Sequence, residues 1–400
     1  MLRVLVARER SEGETRVAAT PDTVRALVAR GLEVTVEAGA GEGAFIADRD
    51  FTAAGAAIGA NAHDAWRAAD VVLKVRAPAR STEFGGDEID ALRPGALLIG
   101  LLSPWADLER VRKLSERDVS SIALELVPRI TRAQKMDALS SQASIAGYKA
   151  VLLAAAELPK YCPLLMTAAG TVRPARIVVL GAGVAGLQAI ATARRLGAIV
   201  EASDIRPSVK EQIESLGARF IDLPERTDSA EDAGGYAREV GKDFLARQQA
   251  IVAEHIANAD IVISTALVPG KRAPTLVTAE TVARMRPGSV IVDLAVEQGG
   301  NCELSEAGQN VRRHGVLIIG HKNLPATMPA DASLLYAKNV LALLEHIVKD
   351  SALDMDVDDE ILRGALMTHG GRVAQLGLAE QLGLLCVVDS TKARTGREAA

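Results

Sequence analysis

The sequence predicts an α/β protein built from two doubly wound, parallel-sheet domains, and three observations carry that prediction. Short β-branched apolar runs alternate with helical patterns along nearly the whole length, as in a parallel sheet covered on both faces. The segment Arg176-Ile-Val-Val-Leu-Gly-Ala-Gly-Val-Ala-Gly186 joins a buried-strand run to glycines at 181, 183 and 186 and then to a helical pattern. Finally, 400 residues with 48% hydrophobic content suffice to bury a core for two domains. Both domains are expected to be Rossmann-like, with a cleft between them.

In chain order, Leu2 to Ala7 reads as the opening strand. Thr20 and Pro21 read as a helix N-cap followed by proline at the first helical position, and that helix is expected to run to Gly31. Glu33 to Glu37, Val71 to Val75, Ala96 to Leu101 and Ser121 to Leu124 are further strands, with helices around His63 to Ala69 and Asp107 to Glu116. An alanine-rich helix, Ser141 to Leu158, is expected to lead directly into the glycine segment. Strands then start near Ile177, Ala198, Ala218, Ile261, Val290 and Val316. Asp331 to Lys349 reads as a helix with Leu334, Leu335, Val340, Leu341, Leu344 and Ile347 on its apolar face, crossing back to the first domain. The first domain is therefore expected to be discontinuous, residues 1–140 with 328–400, around a second at 141–327. The charged, small-residue stretch Thr391 to Ala400 is expected to be disordered.

Composition narrows function. Lys and Arg number 46 against 51 Asp and Glu, a net charge of −5, so no basic surplus exists to neutralise nucleic-acid phosphates. Cys162, Cys302 and Cys386 are scattered without metal-ligand spacing and suit a reducing compartment as ordinary buried thiols. No zinc or nucleophile motif is present, so no metal is expected. The apolar N-terminal stretch is too short for a signal peptide, and no run reaches the roughly 18 residues that span a bilayer. A soluble, cytoplasmic chain is the expectation.

The glycine segment carries the clearest chemistry. Gly181 suits a tight turn, Gly183 lets backbone approach a pyrophosphate, and Gly186 lets helix and strand pack closely. The helix N-terminus offers N–H groups and a positive dipole to phosphates. Asp204, past the end of the second strand, can accept hydrogen bonds from an adenosine ribose, and its charge repels a 2′-phosphate. Between Pro128 and Gln142, the residues Arg129, Arg132, Gln134, Asp137 and Ser140 gather donors, acceptors and both charges, the requirements of a nicotinamide carboxamide. A capping loop before the following helix explains the same residues. The acidic, glycine-containing stretch Asp222 to Asp243 has no clean period and suits a lid or a solvated linker. The histidines read as bland, with His321 alone near an expected strand end.

Longer matches add a family. Glu14-Thr-Arg-Val-Ala-Ala-Thr-Pro21, the Pro128 to Gln142 segment with Ala146-Gly-Tyr148, and Val179 to Gln188 resemble the NAD(H)-binding peripheral component (domain I, alpha subunit) of the proton-translocating NAD(P) transhydrogenases. So do Ser203-Asp-Ile-Arg-Pro207 with Lys210-Glu-Gln212, Gly234-Gly-Tyr-Ala237, Thr265 to Lys271, Asp293 to Cys302, and Gly320 to Pro325 with Ala330-Asp-Ala-Ser333. The resemblance implies that Arg129 and Asp137 pair, that Asp137 and Ser140 orient the carboxamide of NAD(H), and that Gln134 reaches the nucleotide on a partner. It places Ala182, Gly183 and Val184 against the pyrophosphate, Asp204, Ile205 and Arg206 against the adenosine, and Ala266 and Leu267 beside a ribose. Gly235, Tyr236 and Gln248 fall in the segment that resembles a mobile lid. Arg206 could instead accommodate a 2′-phosphate, although Asp204 beside it favours NAD over NADP.

The implied activity is direct hydride transfer between NAD(H) here and NADP(H) on a partner subunit. Membrane subunits would carry the proton channel and the NADP(H)-binding domain, and the chain would be a homodimer, peripheral on the cytoplasmic face. The related alanine dehydrogenases give one alternative, a self-sufficient NAD-dependent enzyme; Arg16 and Lys74 match positions that bind the oxo acid there. That pattern places a catalytic histidine after the strand ending near Leu101, where this chain reads Gly100-Leu-Leu-Ser-Pro-Trp105. Amine oxidation needs a proton acceptor, whereas transfer between two nicotinamides needs only apposition. Arg16 and Lys74 are therefore expected to be structural ion-pair members. A non-catalytic NAD(H) sensor is the other alternative.

Overall fold

The structure, a computed structural model, describes residues 1–400 except 83, 223–241, 269–270, 385 and 387–400; side chains of 242–246 and 248 are also outside the description. The chain divides into two compact units, Met1–Gln142 with the described residues of Pro329–Ala400, and Ala143–Met328.

Unit 1 holds an eight-stranded sheet. Its order from one edge is Ala57–Gly59, Glu33–Glu37, Arg3–Val6, Val71–Arg76, Leu97–Leu101, Ser120–Ala123, Leu366–His369 and Arg372–Val373. The first six are parallel and the last two antiparallel. Alternation explains why both faces are covered. Val4, Val6, Val34, Val36 and Leu73 point into one core, while Leu5, Val72 and Leu98 point into another. The helix Pro21–Ala29 begins after N-cap Thr20 and stops two residues short of Gly31, whose positive φ ends the turn.

The helix Pro329–Ile347 belongs to unit 1 and buries Tyr336, Val340, Leu343, Leu344 and Ile347. Leu335, expected on that face, is exposed. It lies about 100° around the helix from Tyr336. Tyr336 takes the buried stripe because its hydroxyl donates to the Lys74 carbonyl at 2.7 Å, which satisfies an otherwise costly polar tip.

Unit 2 holds a seven-stranded sheet in the same winding order: Arg219–Phe220, Ile199–Ser203, Arg176–Leu180, Ile261–Ser264, Val290–Asp293, Val316–Ile319, then Asn310–Arg313. Six strands are parallel; Asn310–Arg313, unforeseen in the sequence, is an antiparallel edge. Ile177 and Val179 face one core, Val178 and Leu180 the other. The helix before the glycine turn spans Ala138–Glu157 and does not lead straight into it. An antiparallel hairpin, Leu165–Thr167 with Gly170–Val172, intervenes.

Candidate functional site

In a doubly wound sheet the crevice lies at the carboxyl ends of the two strands where winding reverses. In unit 2 these are Arg176–Leu180 and Ile261–Ser264, neighbours in the sheet. Gly181 follows the first with φ +97° and donates its N–H to the Ser203 carbonyl at 2.8 Å. A Cβ there would lie 2.7 Å from Thr265 Oγ1, so only glycine fits. Gly183 is the N-cap of the helix Val184–Arg195 and supplies no side-chain cap, which leaves first-turn N–H groups to an outside acceptor. It is exposed, and a Cβ on it would meet no atom within 4 Å. Its smallness therefore serves nothing within the chain and suits the approach of a ligand. A methyl on Gly186 would fall on the Gly181 carbonyl oxygen, so this glycine sets helix-to-turn packing. Gly147 does the same from the Ala138–Glu157 helix, lying against the Ala185 carbonyl. The turn thus fits the pyrophosphate of a dinucleotide.

Asp204 is buried and acts as a hub rather than a free acceptor. Its Oδ2 accepts from Ala182 N at 2.7 Å and from the Arg206 guanidinium at 2.8 Å. Its Oδ1 accepts from Arg206 N and Nε, both at 2.9 Å. A carboxylate offers about four acceptor positions, so a ribose hydroxyl bonding to Asp204 exchanges with one of these donors. Ala182 is buried, Val184 exposed, and Ile205 and Arg206 are half-buried.

Across the switch point, Thr265 Oγ1 donates to the carbonyls of Leu180 and Gly181 at 3.2 and 3.0 Å. Ala266 and Leu267 follow, both half-buried. Two residues that sequence reasoning gave no role hold this loop. Asn301 is fully buried and bonds both polar backbone atoms of Ala266. Asp293, at the end of its strand, accepts from Ala295 N, Cys302 N, Ser264 Oγ and Ser305 Oγ. Burial pushes the neighbouring Cys302 thiol up to about 11, an inert group at neutral pH. The available signal was the segment from Asp293 to Cys302, whose polar ends flank a glycine pair.

The Arg129 to Ser140 segment lies in unit 1. A 3-10 turn, Thr131–Met136, buries Ala133 and Met136 and leaves Gln134 exposed. Asp137 Oδ1 accepts from Ser140 N at 2.9 Å and Oδ2 from Ser140 Oγ at 2.6 Å, so Asp137 caps the following helix. Arg129 Nε stands 3.9 Å from Asp137 Oδ2. The capping and clustering readings are therefore both realised by one carboxylate.

Arg16 and Lys74 are ion-pair members: Arg16 bonds Glu14 at 2.7 Å, and Lys74 Nζ lies 3.0 Å from Glu88 and 3.5 Å from Glu9. His63 stacks on Phe84, His255 bonds Glu201 at 3.0 Å, and exposed His321 bonds the Lys322 carbonyl. Of the cysteines, Cys162 and Cys302 are buried; Cys386, expected buried, is only partly so. Among the described residues no cluster could hold a metal, and no helix is long and apolar enough to cross a membrane. Gly235, Tyr236, most of the Asp222 to Asp243 stretch, the Gln248 side chain and Thr391 to Ala400 lie outside the described residues.

Known proteins share this architecture. The family models for the alanine dehydrogenase/PNT N-terminal and C-terminal domains match residues 5–146 and 150–376. The chain is 50% identical over 383 residues to a Rhodospirillum rubrum protein, the first of the pieces into which NAD(P) transhydrogenase subunit alpha is divided there. That match covers 95% of this chain and all of the relative. The crystal structure of a transhydrogenase from Sinorhizobium meliloti superposes with a TM-score of 0.83 at 48% identity, covering 93% of this chain and 100% of the other. Alanine dehydrogenase of Mycolicibacterium smegmatis is more distant, 31% identical over 95% of this chain and 96% of its own. The chain belongs to the alanine dehydrogenase/PNT family and, within it, groups with the alpha subunits of NAD(P) transhydrogenase.

Proposed function

We propose that this chain is the NAD(H)-binding subunit of a proton-translocating transhydrogenase, passing hydride directly between its own NAD(H) and NADP(H) on a partner subunit. The observation that carries the reading is the uncapped, glycine-lined N-terminus of the Val184–Arg195 helix, an anion-binding turn in a chain half identical to a transhydrogenase alpha subunit. In this reading Ala182, Gly183 and Val184 hold the pyrophosphate. Asp204, Ile205 and Arg206 hold the adenosine, and Ala266 and Leu267 border the second ribose. Gly235, Tyr236 and Gln248 close over the nucleotide.

Arg129, Asp137 and Ser140 orient the nicotinamide carboxamide, and Gln134, exposed on its turn, faces the partner's nucleotide. Bound NAD(H) supplies the hydride carrier; the residues of this chain supply binding and orientation. Asp137 is already bonded by Ser140, with Arg129 beside it, and the residues just after Leu101 include no histidine. The arrangement suits apposition of two rings rather than proton removal from a substrate. The proton channel and the NADP(H)-binding domain belong to membrane subunits. The chain works as a homodimer held to the cytoplasmic face of the membrane through them.

The test is to mix the purified chain with an NADP(H)-binding component and follow reduction of an NAD analogue by NADPH. Transfer is expected only with both proteins present. Reduction of NAD by L-alanine with this chain alone would overturn the proposal in favour of a self-sufficient dehydrogenase.

A further inference from the structure

Unit 1 winds in the same order as unit 2, so it too has a switch point, between Arg3–Val6 and Val71–Arg76. Beyond these strand ends the position is filled from within the chain. After Val71–Arg76 the chain makes a small excursion, pairing Arg80–Ser81 with Gly86–Asp87, and delivers Glu88, which has no exposed surface. Glu88 Oε1 accepts from Arg10 at 3.0 Å; Oε2 accepts from Ala79 N at 2.9 Å and lies 3.0 Å from Lys74 Nζ. A guanidinium, an ammonium and a backbone N–H converge on one carboxylate. This is the donor set that a free carboxylate ligand meets in a binding pocket.

The cations are as buried as their partner, with side chains 4% and 1% exposed for Arg10 and Lys74. Arg10 also pairs with Glu37, and Lys74 lies near Glu9. Neither reaches solvent. A cavity of about 890 Å³ runs along the outer side of the excursion, bordered by Ala79, Asp87 and Ile89, and Glu88 does not line it.

We propose that Glu88 is a built-in ligand: it occupies the anion position at the switch point of unit 1, so this unit takes up no small carboxylate, and deleting it creates a site for one of acetate size. The site is independent of the hydride-transfer reading, since every residue involved lies apart from the glycine turn and the Arg129 segment in sequence.

The experiment is thermal melting of full-length Glu88→Ala and of the unaltered protein in acetate or chloride at equal ionic strength. Glu88→Ala is expected to melt earlier in chloride and to recover progressively with acetate, following the logarithmic dependence of linked binding. The unaltered protein should not respond. If Glu88→Ala follows both salts alike, or if the unaltered protein gains as much from acetate, the proposal fails. Should Glu88→Ala not fold in chloride, its refolding yield in acetate replaces the melting point, and equal yields in the two salts overturn the idea. Glu88→Gln keeps the position filled and should ignore acetate; a response there would place the binding elsewhere and overturn it equally.

Discussion

Asn301 grips Ala266 by both of its backbone polar atoms. Its Oδ1 accepts from Ala266 N at 3.0 Å, and its Nδ2 donates to Ala266 O at 2.8 Å and to Pro274 O at 2.8 Å. A side-chain amide does here what a neighbouring strand does within a sheet. It fixes the loop leaving Ile261–Ser264 beside the glycine turn. Asn301→Ala strands these groups without partners, at about 1–3 kcal/mol each. The dissociation constant for NADH, measured by fluorescence titration, should rise at least roughly tenfold. Asn301→Asp, which accepts but cannot donate, should show a similar loss. Near-normal NADH affinity in both would remove Asn301 from the positioning role.

The glycines separate packing from ligand approach. Gly186→Ala and Gly147→Ala each drive a methyl onto a carbonyl oxygen and should cost about 1–3 kcal/mol of stability as overpacking. Gly183→Ala meets nothing and has a negative φ, so its melting temperature should stay put while NADH affinity falls. Unchanged NADH binding in Gly183→Ala would mean the pyrophosphate does not lie over this residue.

Asp204 and Arg206 neutralise each other, so neither reads the ribose as an isolated charge. Asp204→Asn releases the guanidinium and weakens the tie to Ala182. NADH should bind less tightly and NADPH more tightly, shifting their affinity ratio by roughly tenfold, about 1.4 kcal/mol. Parallel titrations of the two nucleotides read this directly; a constant ratio contradicts it.

Asp70 anchors the sheet edge of Arg3. Burial opposes its charge, but bonds from the Arg3 side chain and backbone, and from Arg93, outweigh it and bring the carboxyl from 3.8 to about 2. A depressed carboxyl contributes stability that is present above its unfolded value and lost as pH falls through its folded one. Asp70→Asn should therefore lose about 2 kcal/mol at pH 7, with the gap closing between about pH 4 and 2. Urea unfolding across that range is the measurement. A pH-independent gap would mean that the loss comes from packing.

The sequence revealed what local pattern encodes. Continuous β-branched runs such as Ile177 to Leu180 are buried on both faces, and the glycine spacing carries its turn with it. Asn310–Arg313 escaped notice because an edge strand buries only Val311 and leaves charged residues in water. Ala57–Gly59 is too short and too small in its side chains to form a pattern. The hairpin at Leu165–Val172 was hidden by exposure, with Met166 74% accessible. Asn301 could not be read at all in this role, because its partners lie 27 and 35 residues away and only the folded chain brings them to its amide. The Arg129, Asp137 and Ser140 cluster was legible because a cap is local: Asp137 and its partner are three residues apart.

Unit 1 is completed by two segments, with all of Ala143–Met328 made between them. The strand Leu366–His369, which pairs with Ser120–Ala123, and the helix bearing Tyr336 leave the ribosome only after the middle of the chain has emerged. Translation therefore finishes the nucleotide-cradling unit first, while the opening sheet waits with its late-arriving edge unpaired and some of its oily face bare. For that interval the nascent polypeptide is at its most vulnerable to aggregation, and slowing translation between residues 143 and 328 prolongs it.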